Sequence, residues 1–176
     1  MRLLLLSRSA ALVMVVLLCV ASSASAQDAG FDDVPPWHWA FEAVQRLGTA
    51  GIFVGYPTND GERALNAVAQ VYDAFVHATH PAARGWAERF LVNLPPNWPQ
   101  PLERSPLLSF RLENARVETS GATMVVSYVA LVSMRSSAGG VTSSRAAVRV
   151  EIQKDAGGRL RVSYTALTAA QPQLFR

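Results

Sequence analysis

Two periods of hydrophobicity divide this chain, and the change between them falls near Leu107. Before it, apolar residues recur every three to four positions, the spacing that lines one side of a helix. Leu65, Val68, Tyr72, Phe75 and Val76 predict an amphipathic helix over residues 62–79, with Asp60 and Gly61 at its start. Pro81 stands where a first helical residue would, and Trp86, Phe90 and Leu91 outline a second helix that stops near Asn93. Pro95, Pro96, Pro99, Pro101 and Pro106 then predict an extended connector, with Trp98 expected to pack as a lid on the core, the rival reading being an exposed contact. After Leu107 the period is two, that of half-buried strands. Phe110 and Leu112 open a strand whose phase shifts to Ala115 and Val117, which predicts a bulge at Glu113 and Asn114. Ser120 and Gly121 make a turn. Met124, Val126, Tyr128, Ala130, Val132 and Met134 line one face of a long strand, and Val125, Val129 and Leu131 make its other face partly apolar, as a central strand requires. A loop at 136–140 precedes Ala146, Val148, Val150 and Ile152, which alternate with Arg145, Arg149, Glu151 and Gln153. Residues 155–158 predict a hairpin turn, and Leu160, Val162, Tyr164 and Ala166 a last strand opposite Arg159, Arg161, Ser163 and Thr165.

Two helices followed by four antiparallel strands, each with one apolar face, predict an α+β domain in which a curved sheet wraps the helices. The element order over residues 62–167 resembles the nuclear-transport-factor-like, or cystatin-like, cone fold. That resemblance implies a concave face that either encloses a small ligand or is filled by side chains. Proteins of this shape include enzymes, ligand binders and structural domains, so fold alone does not assign an activity.

The first 26 residues carry Arg2 and Arg8, an uncharged apolar run and a small-residue ending at Ala24, Ser25 and Ala26, the build of a secretory leader with an A-x-A cleavage site. The run is shorter than the roughly 20 residues of a membrane span, and no stop-transfer charges follow it. Leu18 before Cys19 does not suit a lipidation box, and without Cys19 the remaining chain has no cysteine for disulfides, thiol chemistry or thiolate metal sites. Cleavage after Ala26 would remove two arginines from a net charge of +3, so the basic pI of 9.5 mostly reports the leader and gives no argument for nucleic acid. The expected organisation is a signal peptide at 1–26, a short helical segment at 27–60, an α+β domain at 61–170 and a tail at 171–176.

Residues 31–57 read F-D-D-V-P-P-W-H-W-A-F-E-A-V-Q-R-L-G-T-A-G-I-F-V-G-Y-P. Ala40, Ala43, Val44 and Leu47 fall on one face of a helix of three to four turns, bordered by Trp39. Asp33 and the proline pair suit its start, and Gly51 with Ile52 suits a Schellman ending. Trp39 is expected to pack in the core, the rival reading being a saccharide-stacking face. His38 is expected to cap or lie on the surface. Asp32 and Asp33 lack the further oxygen ligands of a calcium loop.

In Phe31, Asp33, Val34, Pro35, His38, Trp39, Ala40, Leu47, Gly51, Ile52, Gly55, Tyr56 and Pro57 the segment resembles the first half of an S-layer homology motif, a bacterial envelope module. The resemblance implies a secreted, non-catalytic protein of the cell envelope or periplasm, partnered by an anionic cell-wall polymer or another envelope protein. It implies Gly55 and Tyr56 as ligand-binding residues. The family's second helix opens with Thr-Arg-Ala-Glu, where this chain has Ala69, Gln70, Val71 and Tyr72, so its cation is missing and the nearby Arg63 is the substitute candidate. The runner-up is a small-ligand-binding or enzymatic cone domain using Asp73 and His77.

Candidate chemistry elsewhere is sparse. His77 and His80 have a spacing that suits a shared metal, without a third ligand in view. Asp73 lies one turn before His77, as an acid–base pair or as an exposed helical hydrogen bond. Nucleophile elbows, phosphate loops and dinucleotide fingerprints do not occur, and no cofactor is expected. Arg145, Arg149, Arg159 and Arg161 predict a basic stripe on the outer sheet face.

Overall fold

The computed structural model describes residues 34–50, 59–121, 123–136 and 138–172. The chain divides into two compact units, one of Met1–Asp32 and Glu42–Gly55, the other of Asp33–Phe41 and Tyr56–Arg176. In the first, the described part is residues 42–50, which hold all but the first residue of helix α1, Phe41–Thr49, stitched by an Arg46–Glu42 pair at 3.4 Å. It has nine residues, shorter than the expected three to four turns, and Ala40 lies in the turn before it. Asp33, Gly51 and Ile52, its expected cap and ending, lie outside the described residues.

The second unit is α+β. Helix α2, Asp60–Val76, begins on Asn59, whose Oδ1 accepts the Glu62 N–H at 2.9 Å. The cap is therefore Asn59 rather than the Asp-Gly pair, since this side chain reaches an orphan N–H of the first turn. Helix α3, Ala83–Phe90, starts two residues after Pro81, which sits in a turn. Leu91 does not continue it: Leu91–Val92 form β1, parallel to the last strand. The proline connector is not wholly extended, because Gln100–Arg104 form a short helix, α4, with Pro101 in its first turn where a missing N–H costs nothing. Arg84 pins the loop before it, donating from Nη1 to the carbonyls of Trp98 at 3.1 Å and Pro96 at 3.3 Å.

The strands are β2 (Leu107–Ser120), β3 (Thr123–Arg135), β4 (Val141–Lys154) and β5 (Leu160–Ser163), in the order β1-β5-β4-β3-β2. The sheet has five strands and is mixed, where four antiparallel ones were expected. A two-residue parallel strand is too short to leave a period. The register of β2 on β3 shifts between Glu113 and Arg116, with Asn114 at φ 53, so the predicted bulge is present. The last strand ends early: Ser163 Oγ accepts the Ala166 N–H at 3.3 Å and opens helix α5, Tyr164–Ala170, which buries Leu167. Tyr164 and Ala166 therefore leave the alternation for a helix.

The core lies between α2 and the inner sheet face. Tyr72, Phe75, Val68 and Val71 of α2 are buried with Met124, Val126, Tyr128, Ala130 and Val132 of β3. Trp98 is buried beside Phe75, as expected of a lid. Within this apolar layer the Tyr72 hydroxyl donates to Gln171 Oε1 and meets the Tyr128 hydroxyl at 3.2 Å. Burial pushes the Tyr72 phenol up to about 12, and burial likewise raises that of Tyr128. Among the described residues no helix is long and apolar enough to cross a membrane.

Candidate attachment site

The envelope-like segment enters the described residues at Val34. His38 N–H donates to the Pro35 carbonyl at 2.9 Å and Phe41 N–H to the His38 carbonyl at 2.9 Å, two turns set by the proline pair. His38 Nδ1 accepts the Ala40 N–H at 3.2 Å, so this histidine is an exposed local cap.

The turns send the neighbouring indoles opposite ways. Trp39 is 90% exposed, tilted against His38 at 5.6 Å between ring centroids, which overturns the expectation that it packs in the core. Trp37 is the indole that packs. Its Nε1 donates to Asp73 Oδ2 at 2.9 Å, its ring stacks on His77 at 4.8 Å, and the edges of His80 and Trp86 lie 5.5 and 6.1 Å away. Trp86 is in turn fixed by donating Nε1 to Gln70 Oε1 at 3.2 Å. Helical spacing could not choose between the two tryptophans, because the segment is still in turns where the helix was expected. The signal for Trp37 was the His/Asp cluster of α2, one turn apart and otherwise without a role.

Asp73 and His77 thus meet as helical neighbours, Nδ1 to Oδ1 at 3.4 Å and Nδ1 to the Asp73 carbonyl at 3.0 Å, beneath an indole that takes the other carboxylate oxygen. His80 faces Trp37 and its Nδ1 accepts the Ala82 N–H at 3.2 Å. Among the described residues no group of three His, Cys, Asp or Glu side chains is placed to hold a metal ion.

Where the family's Thr-Arg-Ala-Glu signature would stand, Ala69 is half-buried, Gln70 is nearly buried, and Val71 and Tyr72 are fully buried. That stretch of α2 belongs to the core and presents no grip to solvent. Arg63 is drawn into a clasp at the start of α2: Nη1 meets Asp60 Oδ1 at 3.3 Å and Nη2 donates to the Gly158 carbonyl at 3.4 Å. The other oxygen of Asp60 meets Lys154 Nζ at 2.6 Å, and this bond holds the carboxyl below its usual range. Val34, Pro35 and Ala40 are half-buried and Leu47 is 41% exposed. Phe31, Asp33, Gly51, Ile52, Gly55 and Tyr56 lie outside the described residues.

The outer-face arginines are balanced rather than a bare basic stripe. Arg145 lies 4.0 Å from Glu113, Arg149 3.6 Å from Glu118, and Arg161 3.1 Å from Asp155. Asp155 also accepts the Arg159 and Gly157 N–H groups at the hairpin turn, and these bonds hold its carboxyl below the usual range.

A proline-led segment thus presents one indole to solvent and seats the other on the α+β body. The module itself is recognised: a family model described as S-layer homology domain matches residues 30–59, and this stretch of the chain carries an S-layer homology motif. The chain is 54% identical over 50 residues to outer membrane protein alpha of Thermotoga maritima, an alignment that covers 27% of this chain and 12% of that protein. Among solved structures, the CaMKII hub of S. rosetta is similar at 17% identity with a TM-score of 0.41, covering 61% of this chain and 97% of the hub.

Proposed function

We propose that this chain is an exported, non-catalytic cell-envelope protein, held at the bacterial surface through its S-layer homology segment and carrying the α+β domain as its body. The match at residues 30–59 carries this reading. The Thermotoga relative named as an outer membrane protein and the leader-like run at 1–26 support it. In this reading 1–26 is removed, 27–60 attaches, 61–170 is the body and 171–176 a tail.

The attaching surface is centred on Trp39, whose exposed face offers a stacking platform for a sugar ring; the resemblance adds Gly55 and Tyr56 as ligand-binding residues. Arg63 contributes less than the resemblance implies, since Asp60 and the 158 carbonyl already hold it. With no cation at positions 69–72, attachment to an anionic wall polymer rests on stacking and neutral contacts, or runs through another envelope protein that holds the polymer. Co-sedimentation with isolated cell walls tests this: the chain should pellet at low salt, and Trp39→Ala should shift most of it to the supernatant without changing its melting temperature. Full recovery of the unaltered chain in the supernatant, with walls carrying their native proteins, would sink the attachment reading.

A further inference from the structure

The outer face of the sheet carries an ordered charge pattern that surface attachment does not use. Strand pairing sets its side chains in rows across β2, β3 and β4. One row is Arg111, Leu131 and Arg145; the next is Glu113, Val129 and Ala147. The third is Arg116, Ser127 and Arg149, and the fourth Glu118, Val125 and Glu151. Hydroxyl rows flank them, Ser109, Ser133 and Ser143 at one end and Ser120 and Thr123 beside Gln153 at the other. Charge therefore runs plus, minus, plus, minus along the strands, with a β3 spine of Leu131, Val129 and Val125 interrupted by Ser127.

We propose that this face pairs two copies of the chain about a two-fold axis that runs across the strands between the Glu113 row and the Arg116 row. Turning a copy over about that axis brings each row onto its opposite while keeping each strand over its own counterpart. Arg111 then faces Glu118 of the second copy, Arg145 faces Glu151, and Arg116 faces Glu113. Leu131 meets Val125 on the spine, and hydroxyl row meets hydroxyl row. A two-fold axis along the strands would instead set arginine on arginine, which like-charge repulsion disfavours. A foreign partner needs no such inversion in the pattern; a self-complementary patch does.

Shape agrees with charge at the axis. A depression of about 320 Å³ lined by Asn114, Ser127, Val129, Ala147 and Arg149 lies where the two central rows meet, opened by the bulge at Asn114. There the second copy's Arg149 passes over Ala147, the smallest side chain in its strand's rows. The face is free to engage: Arg111, Arg145, Arg149 and Glu118 are 67–77% exposed, and their present ion pairs, at 3.6–4.0 Å, are loose. Three strands about 4.8 Å apart and six rows about 6.8 Å apart give a plan area of about 500 Å² per copy. Both copies together reach the lower bound of a specific interface, so the pair is a weak one and sensitive to salt.

Sedimentation velocity on protein recovered from cells expressing the full chain tests the pairing. The unaltered chain should dimerise, with Kd rising about tenfold or more from ~50 to ~500 mM salt as the charges are screened. R111E with R145E should be monomeric, as should E118R with E151R, because each sets like on like. Mixed one to one, the two double variants should form a heterodimer, and all four substitutions in one chain should restore the homodimer. Circular dichroism melts show whether each variant is folded, and the four-fold variant keeps the test valid should one double variant melt. A chain monomeric at ~200 μM in low salt, double variants that dimerise like the parent, or a mixture that stays monomeric would each overturn the proposal.

Discussion

The sharpest consequence of the structure concerns two tryptophans separated by one residue. Truncating Trp37 to alanine removes the indole hydrogen bond to Asp73, the stack on His77 and the edge contacts to His80 and Trp86. A hydrogen bond to a charged acceptor is worth about 1.5–3 kcal/mol. Asp73 is 27% exposed, however, so water takes over much of its demand and about 1 kcal/mol is lost there. Each of the three aromatic contacts adds roughly 0.5–1.5 kcal/mol, and because the ring is only half-buried the low end applies, so the total falls below the ~3–5 kcal/mol of a core tryptophan. Trp37→Ala is therefore expected to destabilise by about 2–3 kcal/mol, whereas Trp39→Ala, at 90% exposure, should stay within about 0.5 kcal/mol. Urea unfolding followed by far-ultraviolet circular dichroism, which does not depend on tryptophan emission, reads both changes. A loss above about 1.5 kcal/mol for Trp39→Ala, or none for Trp37→Ala, would refute the assignment of the two rings.

Two further outcomes follow from burial and capping in α2. Tyr72 is held neutral in the fold up to about 12 by burial, while an unfolded tyrosine ionises near 10. The unfolded state then binds fewer protons, so stability is full below pH ~10 and declines as pH rises through 10 to 12, by about 2–3 kcal/mol from this group; the difference in absorbance at 295 nm between the chain and its Tyr72→Phe variant should show this phenolate only as helical signal is lost, and such a difference in the intact fold at pH 10 would contradict the burial. Asn59→Ala removes the side-chain cap of α2 and should cost about 1 kcal/mol in thermal or urea unfolding, while Asn59→Ser should recover most of it.

Much of the α+β body was legible in the chain. The inward set of β3 from Met124 to Val132 is the set that alternation marks, and the phase slip of β2 at Glu113 is the bulge. What escaped lies at the ends of elements. Tyr164 and Ala166 keep a period of two for one more turn, so only the Ser163 cap and buried Leu167 reveal that a helix has begun. Leu91 satisfies helical spacing yet pairs with Val162, because the parallel contact is long-range and leaves no local mark. Of the candidate attachment site, the motif itself was legible. Its facing was not: residues 34–40 turn on backbone bonds to Pro35 and His38, and a helical wheel applied to them exchanges Trp37 with Trp39.

Strand β2 closes one side of the sheet with fourteen residues whose outward edge pairs with no strand among the described residues. Such a border invites uncontrolled strand addition and fibre growth. Here Arg111, Glu113, Arg116 and Glu118 punctuate it, and the kink at Asn114 breaks its straightness, so a stray strand finds neither a flat template nor a neutral one. A protein crowded beside many copies of itself can thereby keep its contacts to one broad face and refuse them along its rim.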